Sequence, residues 1–180
     1  EQSLKHEKGD HWYSWMHMGV MKYANEDIEG ARDAWLKSIS KEPSAWVYRN
    51  LAMLDLMENN LSEAAVYIKK AISLKPDIKG IAIECGNILI KAGKADEWLD
   101  LLTDLPEKIR EHSRMQFLKA EAFYETGRLE EAEKILRSGL VLPDMREGEI
   151  SLADLWFKVF EKKVAAETGI IDAEKLRKTA

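Results

Sequence analysis

This sequence predicts an all-α fold of stacked helix hairpins, on three observations. A helix-turn-helix pattern is written twice between Trp12 and Pro76. The first copy runs Trp15-x-x-Met18-Gly19, Ala31-x-x-x-Trp35 and Pro43; the second runs Tyr48-x-x-Leu51-Ala52, Ala64-x-x-x-Ile68 and Pro76, with the prolines 33 residues apart. The register then continues, because Gly86 with Trp98 and Ala120 with Ala132 keep the twelve-residue offset of Gly19 with Ala31 and Ala52 with Ala64. The first marks stand at 19, 52, 86 and 120. Finally, 46% hydrophobic and 33% charged residues suit a helix-rich protein, and 180 residues suffice for one domain with a substantial core or for a short solenoid whose units bury only their neighbours' faces. Two helices cross closely only where a side chain on each is nearly absent, and the paired small residues supply those contacts.

A small residue one step after an apolar one, a second small residue twelve further on and a proline beyond it make the pattern resemble the tetratricopeptide repeat. The resemblance implies a right-handed α-α superhelix, a solenoid of about four helix pairs over 11–144 (12–44, 45–77, 78–112 and 113–144), followed by a loop and a C-terminal capping helix pair over 145–180. Trp98 departs from the pattern by filling a slot that wants alanine, so either its helix pair splays or the indole rotates outward. Pro143 comes one residue early.

The elements follow in order. Residues 1–10 read as the tail of an upstream helix or a linker, since Ser3–Gly9 aligns with Ser38–Ser44. The first helix spans Trp12–Ala24, with Trp15, Met18, Gly19 and Lys22 facing its partner. Asn25-Glu26-Asp27 breaks it, and Ile28–Lys41 carries Ala31, Ala34, Trp35 and Ile39 inward. Pro43 biases Glu42 away from helical angles and stops that helix. The second unit is Ala45–Glu58, a turn at Asn59-Asn60, and Leu61–Leu74; the third is Ile78–Ala92 and Ala95–Asp104, with 108–112 as a bridge. The fourth is Ser113–Thr126, a left-handed stop at Gly127, and Leu129–Val141. The pairs Glu130/Lys134 and Glu133/Arg137 read as a solvated face. Residues 142–150 form a loop. Ser151 with Asp154 starts a helix in capping-box fashion, with Leu155, Phe157, Val159, Phe160 and Val164 on its apolar side to about Glu167. Gly169 stops it, and Asp172 caps a last helix.

Composition limits the functions. A net charge of −5 argues against a sequence-independent hold on nucleic acid, which needs clustered Lys and Arg. No apolar run approaches the ~18–20 residues that cross a bilayer, and no charged-then-apolar leader opens the sequence, so a cytoplasmic place with no membrane partner is expected. The single cysteine, Cys85, takes a core slot and reads as an inert thiol. His6, His11, His17 and His112 offer neither an i, i+4 pair nor a cysteine partner, so no metal is expected. With no Gly-rich phosphate loop and no tuned acid-base pair, the sequence predicts neither a cofactor nor catalytic residues.

Binding is the stronger expectation. By analogy with the repeat family, the second, fifth, ninth and twelfth positions of each first helix line a concave groove. These are Tyr13, Met16, Val20 and Tyr23; Trp46, Arg49, Met53 and Leu56; Gly80, Ile83, Asn87 and Ile90; Arg114, Phe117, Glu121 and Tyr124. Family members that clamp chaperone tails carry Lys and Asn where Met16 and Val20 stand, which speaks against that role. Asp10–Gly19 and Leu142–Phe157 also resemble segments of bacterial multidomain proteins that carry an N-terminal mutarotase-like β-sandwich before their repeats. Two functions follow. One is a non-catalytic scaffold holding a peptide, helix or neighbouring domain in the groove. The other is an accessory module of a carbohydrate-active protein, with Tyr13, Tyr23 and Trp46 stacking on sugar or on the catalytic domain.

Overall fold

The structure is a computed structural model that describes residues 10–142 and 151–168. The expected helix tail before Asp10, the loop after Leu142 and the helix after Gly169 lie outside the described residues. Among the described residues the chain forms ten helices and no strand: α1 Trp12–Ala24, α2 Ile28–Lys41, α3 Ala45–Met57, α4 Leu61–Leu74, α5 Lys79–Lys91, α6 Ala95–Asp104, α7 Glu107–Arg110, α8 Ser113–Glu125, α9 Leu129–Leu136 and α10 Leu152–Thr168. The helices divide into two compact units, 1–88 and 89–180, with the boundary inside α5.

In the first unit α1 pairs with α2, α3 pairs with α4, and α2 lies against α3. Local chemistry sets the hairpin turns. His11 Nδ1 accepts the Tyr13 amide at 3.3 Å to open α1. Glu26 takes a left-handed φ of 62°, and Asp27 Oδ1 then caps α2 by accepting the Gly30 amide at 2.9 Å. Asn59, at φ 59°, makes the corresponding turn before α4. The core joins Ala31, Trp35, Val47, Leu51 and Leu54, with Met16, Ile28, Ile39 and Tyr67 packed on it. Burying each large side chain contributes roughly 1.5–3 kcal/mol, so stacking the hairpins stabilises what one hairpin alone would not.

Gly19 is buried, and its partner is the indole of Trp35: a Cβ built at Gly19 would lie 2.3 Å from Trp35 Nε1. That N–H donates to the Met16 carbonyl at 3.2 Å, and Ser38 Oγ donates to the Trp12 carbonyl at 2.8 Å, so polar atoms also fasten α2 to α1. Between the hairpins, Arg32 donates to the buried Asp55 at 2.8 Å and to Glu58 at 2.7 Å. Nothing in the repeat pattern marked that link.

The second unit packs Phe117, Ala120, Leu129, Ala132, Leu155 and Val159 into one cluster, with α10 covering α8 and α9. Gly127 stops α8's turn at φ 77°, and Ser151 and Asp154 cap α10 reciprocally, with Asp154 N to Ser151 Oγ at 3.0 Å and Ser151 N to Asp154 Oδ2 at 3.0 Å. Three expectations are corrected here. The helix predicted to reach Val141 ends at Leu136, because Gly139 adopts φ 80° and terminates it in the left-handed way. Trp98 does not rotate outward; it is fully buried. Phe157 faces solvent at 58% exposure, because α10 packs through Leu155 and Val159.

Glu133 also does more than solvate a surface. It accepts Arg137 at 2.8 Å and, from α10, Lys163 Nζ at 2.7 Å. Both partners hold its carboxyl below the usual range, Lys163 contributing most.

Candidate functional site

A recess in the first unit opens between α1 and α3. It is a cleft of about 280 Å³ lined by Val20 and Tyr23 of α1, Trp35 of α2, and Arg49, Asn50, Met53, Leu54 and Met57 of α3. Residues 49, 50, 53, 54 and 57 fall on one stripe of a 3.6-residue helix, which is why a single helix supplies most of the wall. Trp35 and Leu54 are buried and belong to the core, while Val20, Tyr23 and Met57 remain exposed. The cleft therefore has a buried floor and an open, apolar lip. The Tyr23 ring tilts toward Trp35 with centroids 6.0 Å apart, and its hydroxyl donates to Met57 Sδ at 3.2 Å.

The polar side is neutralised from within. Arg49 Nε donates to Glu84 of α5 at 2.7 Å, and Arg49 Nη2 donates to the other oxygen of the same carboxylate. This fork holds the guanidinium charged, its hydrogen bonds outweighing burial. Asn50 adds an amide with donors and an acceptor.

Of the expected groove residues, the cleft brings together Val20, Tyr23, Arg49 and Met53. Met16 packs on the core beneath α1. Tyr13 and Trp46 are exposed outside the cleft lining, and Tyr13 stands edge-on to His17 at 4.2 Å. Asn87 is exposed on α5. In the second unit Phe117 is 4% exposed and built into the core with Leu155 and Val159. Tyr124 is half-buried, with Lys162 Nζ 4.6 Å from its ring centroid. Burial pushes the Glu121 carboxyl up, and Glu125 adds to the rise.

Sequence reasoning missed Trp35, Asn50, Leu54 and Met57 as lining residues. The last three were legible as the flank of the stripe through Arg49 and Met53. Trp35 was not, because it reaches the cleft only through the gap left by the absent side chain of Gly19.

The second unit holds a smaller recess of about 180 Å³ lined by Glu133, Trp156, Val159, Phe160, Lys163 and Val164. It is the packing seam of α9 and α10, and the Glu133–Lys163 pair satisfies its polar atoms. Among the described residues no three His, Cys, Asp or Glu side chains gather as a metal-binding group, and no helix is long and apolar enough to cross a membrane.

Cys85 is buried, and burial pushes its thiol up to about 12. Its thiolate fraction at pH 8 is then on the order of a thousandfold below that of an ordinary cysteine. The native chain is expected to react with a disulfide reagent such as DTNB slower by that factor than the urea-unfolded chain. Comparable rates would show that the site around Cys85 is open.

No protein-family model matches the sequence, and no curated protein matches it. Solved structures do. YrrB, described as a TPR protein with an unusual peptide-binding site, is 15% identical with a TM-score of 0.68, over 97% of this chain and 87% of its own. Pseudomonas aeruginosa pilF is 12% identical with a TM-score of 0.58, over 95% of this chain and 83% of its own. At such identities the likeness concerns the fold, and together with the in-phase sequence register and the helix hairpins it means that this chain has the tetratricopeptide-repeat fold.

Proposed function

We propose that this chain is a non-catalytic interaction scaffold that takes a partner peptide by inserting an apolar side chain of that peptide into the α1–α3 cleft. The supporting observation is the combination of Val20, Tyr23, Met53 and Met57 around a floor of buried Trp35 and Leu54. Methionine and aromatic linings adapt to apolar side chains of different shape. At about 280 Å³ the recess lies below the ~300–1,000 Å³ of enclosed small-molecule sites, so it suits a protruding side chain better than a whole ligand. In this reading Asn50, which lines the cleft, bonds the peptide backbone through its side-chain amide. The Arg49–Glu84 fork leaves little net charge to read, so selectivity comes from apolar shape.

The lining comes chiefly from α1 and α3, the helices whose counterparts in the repeat family line a concave groove, and this analogy supports the reading. A peptide is also the ligand kind described for YrrB. The sugar-platform alternative draws less support, since Tyr23 is engaged by Trp35 and Met57 and Tyr13 by His17, which leaves Trp46 as one open ring.

A random-sequence peptide library panned on the folded chain tests this. The selected peptides are expected to share an apolar residue and to lose about tenfold in affinity, about 1.4 kcal/mol, on Met53→Ala. Val20→Glu, at an exposed position, is expected to abolish binding, and Trp46→Ala to leave it unchanged. Selected peptides that bind Val20→Glu as well as they bind the parent chain rule the cleft out.

A further inference from the structure

The cleft contains one side chain that is both chemically reactive and held by a specific partner. Met57, at the C-terminal end of α3, is 64% exposed, and its thioether accepts the Tyr23 hydroxyl hydrogen bond at 3.2 Å. Tyr23 stands on α1, so this contact joins the two helices that frame the cleft. A thioether sulfur is a weak acceptor, whereas a sulfoxide oxygen is strongly polar and can take the same donor.

We infer that Met57 is an oxidation-sensitive modification site on the lip of the cleft, its sulfoxide oxygen capturing the Tyr23 hydroxyl and turning an apolar mouth polar. The oxidant class is a hydroperoxide, with hydrogen peroxide as the simplest member. A sulfur lone pair attacks one peroxide oxygen, the S–O bond forms and the O–O bond breaks. The departing hydroxide takes the proton of the transferred oxygen and leaves as water. Sulfur is oxidised by two electrons, peroxide is reduced by two, and Tyr23 donates a hydrogen bond without giving up its proton.

The chain contains its own comparisons. Met21 is 61% exposed on α1 but does not line the cleft, Met53 lines the cleft but is half-buried, and Met115 is fully buried. Oxidation of Met21 changes no cleft wall, while oxidation of Met57 places a dipole where an incoming apolar side chain would have to strip its water. That consequence for ligand affinity rests on the proposed function; the coupling between the sulfoxide and Tyr23 does not.

The test oxidises the folded full chain with hydrogen peroxide and quantifies each methionine by peptide mapping. Met57 is expected to react at least about tenfold faster than Met115, in line with its exposure. In a Met21→Leu background, thermal unfolding is then compared for reduced and oxidised protein, with Tyr23 and with Tyr23→Phe. The phenylalanine is expected to lower Tm by about 2–4 °C more in the oxidised chain, the size of one lost hydrogen bond. A merely structural Tyr23 gives the same decrement in both redox states, and that result, or Met57 as protected as Met115, overturns the inference. A library-selected peptide that binds Met57→Gln as tightly as the parent chain counts against the recognition reading alone, because the redox coupling is read without any peptide.

Discussion

Trp98→Ala is expected to lower the stability of the chain by about 3–5 kcal/mol, a large share of the ~5–15 kcal/mol that holds a typical domain folded. The indole is fully buried, so truncation removes a large apolar surface and leaves a cavity that neighbouring helices fill only in part. Among the described residues its N–H has no hydrogen-bond partner, which separates two contributions. Trp98→Phe keeps most of the ring and removes an unsatisfied donor whose burial costs roughly 1–3 kcal/mol, so its loss should be well below that of the alanine variant. Urea denaturation followed by circular dichroism checks both, with the midpoint moving and the slope unchanged. A Trp98→Ala midpoint close to that of the parent chain contradicts the buried position.

Gly19→Ala carries the second large effect, and its sign opposes helix propensity. Alanine in place of an internal helical glycine normally stabilises by about 1 kcal/mol. Here the added methyl would stand 2.3, 2.4 and 2.8 Å from Nε1, Cδ1 and Cε2 of Trp35, a ring that is 4% exposed and tied to the Met16 carbonyl. Overpacking of that kind costs typically 1–3 kcal/mol or more, so a net loss is expected, larger for Gly19→Val. Shrinking the ring in Gly19→Ala/Trp35→Leu should recover part of the deficit that the alanine alone produces. A Gly19→Ala chain more stable than the parent would falsify the close approach of α2 to α1.

Where helices begin and end was legible because local chemistry decides it. Asp27, Gly127 and the Ser151/Asp154 pair act on amides within a few residues, and the boundaries of α1, α2, α4 and α6 fall where the sequence puts them. The one large boundary error, the early end of α9, had a local signal in Gly139. Half of the cleft was legible for a similar reason, since Val20, Tyr23, Arg49 and Met53 are read from helical phase.

Periodicity could not say how deep a side chain goes. Phe117 and Arg49 occupy equivalent groove positions, yet α10 packs over Phe117 while Arg49 lines the open cleft. Trp98 could be recognised as too large for its slot, but not as turned inward. The sequence by itself determined the helices and most of their boundaries, because those depend on backbone hydrogen bonds and contacts a few residues apart, whereas packing reassigned the faces of Met16, Phe117 and Phe157. Only the tertiary structure decided that Trp35 floors the cleft, that Glu84 neutralises Arg49, and that Arg32 joins the hairpins through Asp55. Those contacts join residues 19 to 35 positions apart, where packing of one helix on another, and no rule of local spacing, selects the partner.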